Sequence, residues 1–146
     1  MRIIIVTRVG LKKEKVFEGF TEELFLALKP PLVPMQLMQF DGCKKGDIVS
    51  LRVFVGKWQD WTSEITKSYN NSLEIGFVDE GRVLPFFLKK WKHEHRIVER
   101  KNRTLIIDDI YYSSGSKLVD VILYIPLFMT FWYRKFIYRK FFKKNR

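Results

Sequence analysis

The spacing of apolar residues changes period twice along the chain. Ile3 to Val9 is rich in β-branched residues and flanked by arginine, which predicts a first strand. From Lys12 to Phe20 the period is helical, with Val16, Phe17 and Phe20 on one side. Thr21 can cap a second short helix, with Glu22 and Glu23 in its positive first turn and Leu24, Phe25 and Leu28 forming its stripe. Pro30 and Pro31 end it.

Beyond the prolines the pattern alternates, predicting strands over Met35–Phe40, Ile48–Val55, Trp58–Thr66, Leu73–Val78, Trp91–Arg100 and Thr104–Tyr112. Asp41–Asp47 reads as a hairpin turn, and so do Ser68–Ser72 and Lys101-Asn102-Arg103. Asp79-Glu80-Gly81 reads as a turn opening a long loop that contains Leu84-Pro85-Phe86-Phe87-Leu88, suited to a pocket lid, a membrane contact or packing on a helix. Val49, Leu51, Val53 and Val55 share one face, expected to be core.

The last element predicted is a helix from about Lys117 to Phe142, capped by Ser114 or Ser116. Leu118 to Tyr133 is apolar nearly all round, which predicts burial on several sides. That run is sixteen residues long and contains Asp120 and Pro126, whereas a membrane span needs about 20 mostly apolar residues. Pro126 predicts a bend that lets the helix follow a curved sheet. Hairpin-joined strands with helices kept apart imply an α+β fold. A curved antiparallel sheet of about seven strands wraps a long C-terminal helix, with two short helices after the first strand. No linker or repeat divides the 146 residues, so 1–146 is read as a single domain. Aromatic residues make up 16% of the chain, many rings that need shelter or a pocket to line.

This order of elements resembles the START and birch-pollen-allergen-like superfamily (SRPBCC, the polyketide cyclase/dehydrase and lipid-transport proteins), whose helix-grip fold it implies over the whole chain. Several runs resemble an uncharacterised bacterial ligand-binding subgroup: Val16-Phe17-Glu18-Gly19-Phe20, Phe40-Asp41-Gly42-Cys43 with Gly46-Asp47, Phe77-Val78-Asp79-Glu80-Gly81, Leu84-Pro85-Phe86-Phe87, Trp91-Lys92-His93-Glu94-His95 and Asp108-Asp109-Ile110. Related domains occur fused to sugar-nucleotide epimerase-like proteins. The resemblance implies a cavity between sheet and long helix for a lipid-like or polyketide-like molecule. It implies no particular reaction and carries over no catalytic residue.

The chemistry-bearing run is Trp91-Lys92-His93-Glu94-His95-Arg96-Ile97. Alternation places Trp91, His93, His95 and Ile97 on one face, expected to look inward with the only two histidines of the chain. The hairpin register decides what His95 meets. A two-residue turn at Lys101-Asn102 opposes it to Asp108, and a three-residue turn ending at Arg103 opposes it to Asp109. The second is preferred because it sets Arg96 across from Asp108, whereas the first sets Glu94 against Asp109. A His-Asp pair of this kind fixes register, anchors a polar group in an apolar pocket, or supplies a general base. Ligand contacts are accordingly expected from Phe77, Trp91, His93, His95, Asp109, Tyr111, Met129 and Tyr133, with His95 and Asp109 the candidates for catalysis in a cyclase/dehydratase-type alternative. Trp58 and Trp61 can stack on a ligand or serve the core. His93, His95 and one aspartate make a three-ligand set, but two histidines on a strand are more often simple neighbours. Neither metal nor cofactor is therefore predicted.

The formal charge of +11 is concentrated at the end: between Arg134 and Arg146 lie seven basic residues and no acidic one. Arg134, Lys135, Arg139, Lys140, Lys143 and Lys144, interleaved with aromatics, suit an anionic membrane surface as an alternative role. Nucleic acid is disfavoured because the basic residues do not extend over the body. Cys43 is alone, which excludes an intrachain disulfide and fits a cytoplasmic protein, and Lys44 and Lys45 beside it are expected to lower its pKa.

Overall fold

The computed structural model describes residues 1–101 and 103–144. Seven strands, β1 (Arg2–Val9), β2 (Met35–Phe40), β3 (Ile48–Val55), β4 (Lys57–Asn70), β5 (Glu74–Val83), β6 (Lys90–Arg100) and β7 (Arg103–Ser113), form one antiparallel sheet in the order β1-β7-β6-β5-β4-β3-β2. Each strand from β2 to β6 pairs with its successor, and β7 closes on β1. The helices α1 (Lys13–Glu18) and α2 (Glu22–Ala27) carry the chain from β1 at one edge to β2 at the other. Register shifts between Leu37 and Gln39 and along β4 mark bulges, which bend and coil the sheet. The last element, α3 (Lys117–Lys144), packs chiefly on β1 and β7.

β4 and β5 are longer than the sequence pattern indicates. Ser68 to Asn70 lie within β4, and Asp79 to Gly81 lie within β5 rather than in a turn. Gly76 explains how such polar residues stay paired: a Cβ there would collide with the Tyr69 ring and approach the His95 carbonyl to 2.8 Å. The bare backbone lets Tyr69 lie across it and donate to Glu94 on β6 at 2.8 Å.

The β6–β7 register also differs from the preferred one. His95 faces Asp108, and Arg100 pairs with Arg103. Lys101 takes a φ of 52°, as a two-residue turn requires; Asn102, the other turn residue, lies outside the described residues. Glu94 does oppose Asp109, but each acid has a partner of its own. Arg2 on β1 holds Asp109 through two hydrogen bonds (2.9 and 2.7 Å), while Tyr69 serves Glu94. Neighbouring strands therefore remove the repulsion that a two-strand view predicts.

Two buried clusters sit on the inner face of the β1-β7-β6 side. One joins Val16, Leu24 and Leu28 of the short helices to Ile97, Ile106, Tyr138 and Phe142. The other joins Ile3, Ile5, Trp91, Ile110 and Tyr112 to Leu88 and Phe131, with Leu84 and Phe87 against it. The apolar loop thus packs largely under α3. Ser116 stands at the helix start, its carbonyl accepting from the Asp120 N–H at 2.9 Å; the Asp120 carboxylate accepts from the Ser114 backbone N–H at 2.6 Å, and the Tyr112 hydroxyl donates to the Asp120 carbonyl at 2.6 Å.

Burial of α3 on several sides is not what the structure shows. Leu118, Ile122, Ile125, Met129, Trp132 and Phe136, spaced alternately by four and three residues, form an exposed apolar stripe opposite the packed face. Among the described residues no helix is long and apolar enough to cross a membrane.

Candidate functional site

The inner faces of β2, β3 and β4 do not close on the helices. They bound a cavity of about 580 Å³, completed by α2, the Phe86-Phe87 loop and the Leu123, Pro126, Leu127, Thr130, Phe131 and Arg134 face of α3. Val49, Leu51, Val53 and Val55, expected to be packed core, line this space instead. The size falls within the range of small-molecule sites. Pro126 belongs to that wall and has no N–H to donate. The Thr130 hydroxyl donates to its carbonyl at 2.9 Å.

The polar part of the wall lies at the boundary between the cavity and the two packed clusters. On β6 the inward series runs Trp91, His93, His95, Ile97; on β7 it runs Tyr112, Ile110, Asp108, Ile106. The middle of each series is polar, so two imidazoles and a carboxylate meet between two apolar cores. Asp79 on β5 adds a second carboxylate, facing His93 across the ladder. Asp108 Oδ1 lies 3.0 Å from His93 Nε2 and 3.4 Å from His95 Nδ1. Asp79 Oδ2 lies 3.5 Å from His93 Nδ1 and 3.4 Å from His95 Nε2. Trp91 Nε1 donates to the other Asp79 oxygen at 3.1 Å, and the Tyr138 hydroxyl donates to Asp108 at 3.4 Å. His95 Nδ1 and Asp108 Oδ2 are buried without a hydrogen-bond partner.

Packing locks both rings. Phe77 stacks on His95 with centroids 4.4 Å apart, Phe20 meets the same ring edge-on, and Phe131 meets His93 edge-on at 5.1 Å. The electrostatics follow from these contacts. Burial opposes the charge on Asp108, yet the hydrogen bond with His93 and the close approach of the His95 ring outweigh it and hold the carboxyl far below the usual range. Burial likewise opposes ionisation of Asp79, and the contact with His95 reverses the effect, leaving its pKa lowered. Burial and then the neighbouring His95 push His93 down. For His95, burial is overcome by Asp108 and Asp79, and its pKa rises. Tyr138 is driven well above its ordinary value by burial and by Asp108.

Of the residues read from sequence, Phe77, Trp91, His93 and His95 face the cavity. Asp109 and Tyr111 do not, since the two-residue turn puts them on the outer face, where Asp109 pairs with Arg2 and Tyr111 is exposed. Met129 lies on the outward stripe of α3, and neither it nor Tyr133 lines the cavity. Trp61 is a cavity residue and Trp58 is not. Arg134, expected among the surface cations, instead lines the cavity, its guanidinium 4.3 Å from the Phe131 ring and its Nε buried without a partner. Cys43 also lines it, and burial followed by the charge of Asp47 pushes its thiol up to about 12, the opposite of the lowering expected from Lys44 and Lys45 in the sequence. Asp79 was hidden by its resemblance to a turn. The one available signal was the strand pattern continuing from Leu73 into Val78 without a break.

The chain superposes on protein Ms6760 from Mycobacterium smegmatis with a TM-score of 0.69 at 13% identity, covering 99% of this chain and 92% of that one. It matches norcoclaurine synthase from Thalictrum flavum, a point mutant with a transition-state analogue, at a TM-score of 0.67 and 11% identity over 100% and 96% of the two chains. The Zhui aromatase/cyclase of a Streptomyces species gives 0.63 at 14% identity over 100% and 96%. The fold is a helix-grip fold, an architecture the chain shares with these proteins. At these identities the likeness extends to architecture alone. No family model matches the sequence, and no curated protein matches it.

Proposed function

We propose that this helix-grip chain binds an amphipathic small molecule, lipid-like or polyketide-like, in the cavity between β2-β3-β4 and α3. The observation carrying this reading is a space of about 580 Å³ whose wall is mostly apolar, with Asp79, His93, His95 and Arg134 its charged or imidazole groups among a few smaller polar residues. Apolar surface supplies affinity without direction, and isolated polar groups orient what it holds. Arg134 supplies an unneutralised donor for an acidic or strongly polar head, and the histidines a second polar anchor. The test is a fluorescence titration with 1-anilinonaphthalene-8-sulfonate, an anionic apolar probe, on the wild type and on Leu51→Trp. Saturable binding that the indole abolishes supports the reading. Binding unaffected by filling the cavity, or no binding, refutes it.

A second reading, docking on an anionic lipid surface, is favoured by the outward stripe of α3. Its apolar residues are followed on the same side by Arg139, Lys140 and Lys143, and Arg8 joins Arg139 and Lys143 around a smaller cavity of about 270 Å³. Apolar area followed by cations suits headgroups over acyl chains. Pairing two copies in parallel along this stripe would instead oppose like charges. Sedimentation with phosphatidylserine-containing vesicles should be lost at high salt and in Trp132→Asp; equal binding to neutral vesicles contradicts it.

A further inference from the structure

The geometry points to a divalent transition-metal site, of the Zn²⁺ or Fe²⁺ class, formed by His93 Nδ1, His95 Nε2 and Asp79 Oδ2, with Asp108 behind it as the carboxylate that orients both imidazoles. The candidate ligand atoms of Asp79, His93 and His95 all lie within 4.8 Å of one another. More telling is which atoms face which carboxylate. Asp79 Oδ2 lies 3.5 Å from His93 Nδ1 and 3.4 Å from His95 Nε2. Tetrahedral bonds of about 2.1 Å place neighbouring ligand atoms about 3.4 Å apart. Those separations are long for hydrogen bonds and right for the edges of a coordination sphere.

The remaining nitrogens complete the arrangement. His93 Nε2 and His95 Nδ1 both turn to Asp108 Oδ1, at 3.0 and 3.4 Å. A metal-bound imidazole ordinarily donates its second N–H to a carboxylate, which fixes its tautomer; here Asp108 Oδ1 makes that bond with His93 and stands 3.4 Å from the second nitrogen of His95. Asp79 is oriented in the same manner, because Trp91 Nε1 engages Oδ1 and leaves Oδ2 towards the histidines. Asp79, His93 and His95 line the cavity while Asp108 does not, so the ligating set is on the open side and its support is on the buried side.

A purely structural ion-pair cluster explains less. Three of its four His–Asp contacts lie at 3.4–3.5 Å, and His95 Nδ1, in a side chain 10% exposed, completes no hydrogen bond. Two imidazoles and one carboxylate suit Zn²⁺ and Fe²⁺ and leave at least one position towards the cavity. An oxygen donor of the bound molecule takes that position, a role resting on the ligand-binding reading above. The coordination set itself does not rest on it.

The test uses the untagged full chain, stripped with EDTA and exchanged into chelator-free buffer. Titration with Zn²⁺ alone should show one equivalent bound with a dissociation constant below about 1 µM. Co²⁺ should give visible bands of four- or five-coordinate intensity that Zn²⁺ abolishes. Asp79→Asn, on the half-buried ligand, should weaken Zn²⁺ at least about 100-fold with an unchanged circular dichroism spectrum, and Asp108→Asn about 10–100-fold. Should the variants fail to fold, imidazole nitrogen shifts of the wild type decide, since Zn²⁺ must move His93 Nδ1 and His95 Nε2. Dissociation constants above 1 mM, shifts confined to other residues, or unweakened binding by folded Asp79→Asn overturn the proposal. The anilinonaphthalene titration run in EDTA reports the cavity separately, so either reading can fail alone.

Discussion

The two ends of the sheet carry the same alternation and put it to different use. In β1 and β7 every second residue is buried, and α3 rests directly on them. In β3 the residues Val49, Leu51 and Val53 alternate just as regularly, yet only Val53 is fully buried and all three border the cavity. Period reports which face is turned inward. Whether that face meets another side chain or a void is decided by where the helices lie, and α3 sits over the β1 edge. The His-Asp cluster stands at the seam, supported by core on one side and open on the other.

The contrast can be broken in order of severity. Asp108→Ala should do the most damage, about 3–5 kcal/mol in urea denaturation, because it strips a fully buried carboxylate from two histidines. Ile110→Ala, fully buried in a packed cluster, should cost about 2–5 kcal/mol. Leu51→Ala should cost under about 1.5 kcal/mol, because a side chain that already borders a cavity forfeits fewer contacts. Equal losses for Ile110→Ala and Leu51→Ala would mean that the cavity wall is packed core after all.

Cys43 reports on the same wall without affecting stability. With its thiol raised to about 12, the thiolate fraction at pH 8 falls, so iodoacetamide should react about a thousandfold more slowly than with an ordinary exposed thiol. The rate should climb tenfold per pH unit up to the thiol pKa and recover in guanidinium. An ordinary rate in the folded protein would place Cys43 outside the wall.

The succession of elements along the chain, with two short helices after the first strand and the long terminal helix, is legible because it rests on local periodicity and stop signals such as Pro30 and Pro31. Alternation on β6 also makes the inward placement of Trp91, His93 and His95 legible, and with Phe77 they line the cavity. The errors arose where a third strand or the helix position intervened. From the β6–β7 pair alone Asp109 reads as inward, because Arg2, which neutralises Asp109, and Tyr69, which donates to Glu94, lie on other strands. Asp79 was read as a turn residue because Asp-Glu-Gly signals a break, and only pairing with β4 and β6 keeps it extended. Met129 failed for another reason: an all-round apolar helix does not declare which face will be left uncovered.

On the proposed reading the cavity is occupied by a small molecule. Native mass spectrometry of the purified protein should show an adduct of roughly a few hundred daltons, the mass expected of a ligand for a site this size. It should be released by organic extraction and be absent from Leu51→Trp prepared in parallel. A bare wild-type mass, together with no adduct after incubation with lipid and polyketide extracts, would contradict the account.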